Sequence, residues 1–347
     1  MNGGKRPKTT IPGSGFASCI TAFRNPEMPS PIRIAIPPGL SPDQFDGRSR
    51  AGKITDVGGP TMGTSWSARI VDAPPECEAA IQSVFARVIA QMSNWEAHSD
   101  ISRFNRLSLG EWMTLPAEMM AVLRAGLAMA RLSDGAFDPA VGNWVSRWGF
   151  GPGMGTAGPS SPPWQTIEVE GPRARRLADV ALDFSGIAKG YAVDAAATAL
   201  DAQGAKHYLL EVGGELTGRG VKPDMQPWWT DTESPPDLAV PTLRIALCGL
   251  SVATSGDYRR FRIEDGRRLS HSIDPATGAP IANDVAAVTV LHESAMLADA
   301  WATAITVLGS DRGMTLAARH GIAARLILRT ASRTREYMTP ALAAMLD

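Results

Sequence analysis

The chain has 347 residues, 44% of them hydrophobic and 20% charged, with 34 Lys and Arg against 35 Asp and Glu for a net charge of −1. That length suits one large domain or two modest ones, and the composition excludes a disordered chain, a collagen-like repeat and a coiled coil. Balanced charge argues against nucleic acid or an anionic membrane as partner, no run approaches the ~18 apolar residues of a transmembrane helix, and Cys19, Cys77 and Cys248 are too scattered for a zinc site and odd in number for a disulfide framework.

Residues 1–50 hold eight prolines and little periodicity, which predicts an irregular, partly disordered arm ahead of a domain over 51–347. The basic start (Lys5, Arg6, Lys8) leads into Thr9-Thr10-Ile11-Pro12-Gly13 rather than an apolar core, so no secretory signal is read. Phe16-Ala17-Ser18-Cys19 faintly resembles a lipoprotein box but lacks that core. The chain as written is expected in the cytoplasm; a different start codon would allow the periplasm.

Two runs of alternation over 54–71, broken at Gly58-Gly59-Pro60 and Gly63, predict a pair of strands joined by a tight turn. Helices are expected over about 77–97, with apolar residues at 81, 84, 85, 88, 89 and 92, over 116–132, and over 187–202, where Gly204 is a plausible C-cap. Residues 149–164 predict a mobile loop, and 221–240, with Trp228-Trp229, a surface insertion offering a partner surface. Strands are expected near 206–212, 242–248, 285–291 and 323–329, a hairpin turn at Asp265-Gly266, a helix over 293–308 and a short C-terminal helix. Strands and helices mix without a βαβ rhythm, so the fold class is α+β.

G-x-G-x-x-G, Walker A, H-E-x-x-H and G-x-S-x-G are all absent, and Ser185 and Lys189 are one residue too far apart for S-x-x-K. Small polar residues instead cluster beside acids at 58–64, 135–139, 183–190, 253–258 and 271–278. Any one cluster taken alone reads first as a turn. The third leads into a helix and sets Lys189 in its first turn, which suits an anion. In the 293–308 helix, Asp299 and Thr303 share a face amid apolar residues. Together they form a hard oxygen pair suited to Mg²⁺ or Ca²⁺; an exposed Asp with Thr303 bonded back to a carbonyl fits the spacing equally.

Taken in order, the clusters resemble the ApbE family of flavinyltransferases over about residues 54–330. The segments are Met62-Gly63-Thr64, Ser99 to Asn105, Gly135-Ala136-Phe137-Asp138-Pro139 with Trp148-Gly149-Phe150, Leu182-Asp183 through Lys189 to Asp194, Gly213-Gly214-Glu215, Thr254-Ser255-Gly256-Asp257-Tyr258, His271 to Gly278, and Asp299 with Thr303. The resemblance implies Mg²⁺-dependent transfer of FMN from FAD to a threonine or serine hydroxyl of an acceptor protein, with release of AMP. It equally admits FAD hydrolysis to FMN and AMP, and a non-enzymatic flavin carrier is the third reading.

Carried over, the resemblance implies flavin or FAD contacts at Met62, Ala136, Phe137, Asp138, Asp183, Lys189 and Ile273, and at Trp95, where the family often has Tyr. It implies metal ligation by Asp299, Thr303 and the carbonyl of Gly186, and ties His271 and Ser255 to the chemistry. His271 is the candidate base, with Asp274 or Asp257 as an orienting partner; Asp257 as the base and a surface-turn histidine are the alternatives. The implied acceptor carries Asp-x-x-Thr/Ser-Gly-Ala-Thr/Ser. Asp274 to Pro280 resembles that motif, but Pro280 stands where the accepting hydroxyl would be, so the chain does not modify itself there.

Overall fold

Seven successive residues of the strand Val285–His292 are buried, as expected for a strand covered on both faces. It lies within an antiparallel sheet of eight strands, ordered Thr334–Met338, Ala323–Arg329, Val285–His292, Leu250–Gly256, Glu215–Arg219, Tyr208–Val212, Thr64–Val71 and Ile54–Thr61. The computed structural model describes residues 32–39, 41–153, 164–264, 267–330 and 334–346. Helices Cys77–Met92, Ala117–Leu132, Ala188–Ala202 and Ala295–Arg319 share the larger hydrophobic core with one face of the sheet. Against the other face lie the short helix Pro340–Ala343 and a three-stranded sheet of Ile32–Ala35, Thr242–Leu247 and Trp228–Asp231. The architecture is the expected α+β.

Local signals explain most of these elements. In Cys77–Met92 the predicted apolar positions are buried, except the half-buried Ile89, and the helix stops at Met92 rather than near 97. That early stop frees Asn94 and Trp95. Ser294 caps Ala295–Arg319 by accepting from the Leu297 N–H at 3.2 Å, and Gly309, at φ 78°, breaks the helix near the predicted end.

Three expectations change. Ile32–Ala35 is not an irregular arm: it pairs in parallel with Thr242–Leu247 and buries Ala35, while residues 1–31 lie outside the described residues. The 221–240 segment is not only a surface insertion, because Trp228 is 1% exposed and its Nε1 donates to the Arg219 carbonyl at 2.9 Å. Trp228 is a core anchor, while Trp229 beside it is half-buried. Strands Glu215–Arg219, Leu250–Gly256 and Thr334–Met338 had no clear alternation to announce them. Asp265-Gly266 lies outside the described residues, although its flanking strands pair antiparallel, and so does most of the 149–164 loop.

Candidate active site

The hairpin of Ile54–Thr61 and Thr64–Val71 turns through Met62 and Gly63, at φ 46° and 71°. Left-handed backbone at both positions matches a two-residue hairpin turn, and it costs a methionine on the order of 1 kcal/mol. That turn puts Met62 on the wall of a cavity of about 870 Å³. Trp95, Ala136, Phe137, Asp138, Asp183, Gly186, Lys189, Ser255, His271, Ile273, Asp299 and Thr303 also line it, so every expected position except Asp257 and Asp274 meets there.

The first group of lining residues depends on a close helix crossing. A Cβ on Gly190 would stand 2.2 Å from the Ala295 carbonyl, so only glycine permits this approach. Asp194 fastens it, accepting from the Ala295 N–H at 2.8 Å, the Met296 N–H at 3.0 Å and the Ser294 hydroxyl at 2.6 Å. The Gly190 N–H donates to Asp299 at 3.2 Å. Lys189 pairs with Glu215, whose side chain is 2% exposed. Thr303 Oγ1 approaches the Gly186 carbonyl at 3.5 Å, and a Cβ on Gly186 would lie 2.7 Å from that hydroxyl.

This group is electrostatically tight. Burial raises the Asp299 carboxyl, with Lys189 and the Gly190 N–H pulling the other way. Burial likewise pushes Glu215 up to about 7 against the opposing pull of Lys189. Burial disfavours the Lys189 ammonium, but Glu215 and Asp299 together outweigh it and hold its pKa above the ordinary lysine value. Glu215 Oε2 is buried without a hydrogen-bond partner. Two carboxyl groups, one ammonium, a hydroxyl and a carbonyl thus share one corner of the cavity, with unspent oxygen lone pairs.

The second group is aromatic and apolar. Ile273 and Phe150 pack with Trp144, and the His271 ring meets Phe150 edge-on with centroids 6.3 Å apart. Trp95 stands at the rim, 62% exposed. Asp138 accepts from the Ala140 N–H at 2.7 Å and the Trp164 N–H at 3.3 Å, yet burial pushes its pKa up to about 6. Asp183 is fixed through its neighbour: Leu182 exchanges two hydrogen bonds with Asn105, at 2.7 and 2.9 Å, and accepts a third from Asn94 at 3.2 Å. Asp183 itself accepts from the Ser185 N–H at 2.7 Å, shaping the turn into Ala188–Ala202.

His271 Nδ1 lies 2.9 Å from the Arg260 carbonyl, so Nδ1 carries the proton and Nε2 keeps its lone pair. Burial lowers the His271 pKa to about 4, helped by the charge of Arg260. Neither acid expected to orient it does so. Asp274 caps its own turn, accepting from the Ala276 N–H at 2.9 Å. Asp257 is paired with Arg268 at 3.1 Å and Arg329 at 3.2 Å and does not line the cavity or hydrogen-bond His271. The site also contains Glu215, Tyr258 and Arg259, to which sequence reasoning gave no role. A lone acid after Gly213-Gly214, in a strand that buries it, was the available signal for Glu215.

The profile of the ApbE family matches residues 62–326. A curated FAD:protein FMN transferase of Vibrio cholerae is 34% identical over 301 residues, covering 81% of this chain and 89% of that protein. The Escherichia coli protein of the same description is 32% identical, covering 84% and 89%. Among solved structures, the apo flavinyl transferase ApbE of Pseudomonas stutzeri superposes with a TM-score of 0.78 at 36% identity, covering 85% of this chain and 97% of that one. The ApbE protein of Thermotoga maritima gives 0.74 at 27% identity, covering 85% and 100%. The chain belongs to the ApbE family.

Proposed function

We propose that this ApbE-family chain is an FAD:protein FMN transferase. It moves the FMN half of FAD onto a threonine or serine hydroxyl of an acceptor protein and releases AMP. The observation that carries this reading is one cavity joining an aromatic, apolar wall to a corner of Lys189, Glu215, Asp299, Thr303 and the Gly186 carbonyl. The description borne by relatives over about four-fifths of the chain supports it.

The donors fit Mg²⁺. Asp299, Thr303 Oγ1 and the Gly186 carbonyl are hard oxygens, and the absent Cβ of Gly186 leaves them room. Held by these three oxygens, Mg²⁺ would supply positive charge to offset that of the substrate's phosphoryl oxygens. Lys189 adds a fixed cation on the same corner, steadied by Glu215. The apolar wall of Trp95, Phe137 and Ile273 takes the isoalloxazine, with Met62 and Ala136 beside it and Asp138 and Asp183 as polar anchors.

The step is a displacement at the phosphorus of the FMN half. The acceptor oxygen forms a new P–O bond as the bond from that phosphorus to the bridging oxygen breaks. AMP departs with the bridging oxygen, and the hydroxyl proton passes to a base. His271 is that base: its imidazole is neutral at pH 7, and Nε2 is the free acceptor. Burial is the main cause of its low pKa; an anionic substrate beside the ring favours its protonated form and so strengthens it as a base. Ser255, on the same wall, offers a hydroxyl to the reacting phosphate. We further propose that the acceptor presents Asp-x-x-Thr/Ser-Gly-Ala-Thr/Ser.

The test follows AMP from FAD and Mg²⁺ with and without an acceptor domain carrying that motif. Transfer requires AMP release that depends on acceptor. AMP without acceptor would make the protein an FAD pyrophosphatase, and bound FAD with no AMP in either tube would leave a flavin carrier.

A further inference from the structure

One cation on the cavity wall has no part in the reaction as described. Arg259 lines the cavity beside Gly213 and Glu215. Its Nη1 donates to the Gly213 carbonyl at 2.7 Å, and Nη2 donates to Glu233. Glu233 also accepts from the Tyr258 hydroxyl at 2.8 Å. Glu233 itself does not line the cavity. It follows the Trp228–Asp231 strand by two residues, and that strand is anchored by buried Trp228. A rigid element outside the site thus aims an arginine into it.

The guanidinium has donors to spare. It presents five N–H groups in a planar fork, of which the Gly213 carbonyl and Glu233 each take one direction. Its side chain remains 48% exposed. Its charge also opposes protonation of Lys189, so the two cations feel each other across the cavity corner. Two cations held on one wall repel, and an anion lying between them reverses the sign of that arrangement. Arg260 does not compete for this place, because its carbonyl holds His271 and its Nη2 turns to the Phe150 carbonyl at 3.4 Å.

We propose that Arg259 is a second cationic contact for the diphosphate and adenylate part of FAD, and that Glu233 is the positioning residue that holds its guanidinium there. The proposal rests on the FAD reading above. Arg259 bonds the Gly213 carbonyl, two residues before Glu215, and its charge is felt by Lys189, so it belongs with the phosphate end of the site. A planar fork also suits the phosphate monoester of departing AMP, which offers two oxygens in bidentate geometry.

The experiment titrates the full chain with FAD and, separately, with riboflavin, which has the same ring and no phosphate. Arg259→Gln is expected to weaken FAD binding about tenfold or more while riboflavin stays within about twofold, because the charge-assisted contact that is lost reaches phosphate and riboflavin has none. Glu233→Gln weakens FAD alone and by less, and Arg259→Lys restores part of the loss. AMP competes with FAD less well in Arg259→Gln than in wild type. Equal losses for both ligands would reduce Arg259 to a wall strut and overturn the proposal, as would unchanged FAD affinity. If Arg259→Gln does not fold, Glu233→Gln carries the same FAD-against-riboflavin comparison. Wild type that binds FAD while Arg259→Gln matches it refutes only this proposal. Wild type that binds no FAD overturns the FAD reading and this proposal with it.

Discussion

Gly186→Ala adds one methyl group at the corner proposed to hold the metal. Gly186 is not among the left-handed residues, so alanine meets no backbone strain there and the effect is steric. The new Cβ would stand 2.7 Å from Thr303 Oγ1, 3.1 Å from its Cγ2 and 3.3 Å from its Cβ. Thr303 cannot turn aside cheaply, because it is β-branched and sits within the Ala295–Arg319 helix. Overpacking of this kind costs about 1–3 kcal/mol. At roughly 2–4 °C per kcal/mol for a large domain, the melting temperature should fall by several degrees. Displacing Thr303 from the Gly186 carbonyl should also raise the Mg²⁺ needed for half-maximal turnover about tenfold or more. The assay pairs a thermal melt with AMP release across a Mg²⁺ titration. The double variant Gly186→Ala, Thr303→Ala separates the two effects: it relieves the 2.7 Å contact and recovers most of the melting temperature, but lacks the hydroxyl and stays slow. A single variant with wild-type melting and Mg²⁺ requirement would refute the reasoning, as would a double variant that regains turnover.

His271→Gln should keep FAD binding and lower acceptor-dependent turnover by about 10²–10⁴-fold, as measured by single-turnover kinetics. In the wild type, the limb of the kcat/KM profile due to His271 should lie at about 4, because that is where its imidazole charges in the free enzyme, and the matching limb of kcat should lie higher. Asp138 is held at about 6 from an ordinary 3.8, so between these values the folded state binds a proton that the unfolded state does not. Stability from this group therefore falls as pH rises through about 6, and Asp138→Asn should remove that slope from the melting profile. Asp257→Asn should cost about 1–3 kcal/mol in denaturant unfolding, since Arg268 and Arg329 face a neutral amide in place of a carboxylate, yet leave turnover within about threefold.

Much of the site was legible because its residues sit at local breaks in pattern. Asp299 stood out as an acid in an apolar helix, and Gly186 to Lys189 as a loop opening a helix. Both features come from short-range sequence, and the helix crossing through Gly190 then brings them together. What was not legible depends on distant partners. Asp257 lies within a reactive-looking cluster, but Arg268 and Arg329 claim it from elsewhere in the chain. Asp274 likewise spends its carboxylate on its own turn rather than on His271. Ile32–Ala35 is too short to show a period and becomes a strand only because Thr242–Leu247 offers an edge. Trp228 sits among prolines that suggest a loop, and only the packed cluster around Val71, Ile245 and Leu342 explains its burial.

The central claim is transfer, and the mass of the acceptor tests it most directly. Wild-type protein, FAD, Mg²⁺ and an acceptor domain with the threonine motif should yield acceptor heavier by one FMN less one water, with one AMP per adduct. Asp299→Ala should still bind FAD and form no adduct. An unmodified acceptor in the presence of consumed FAD, or an adduct formed equally well by Asp299→Ala, would contradict the account.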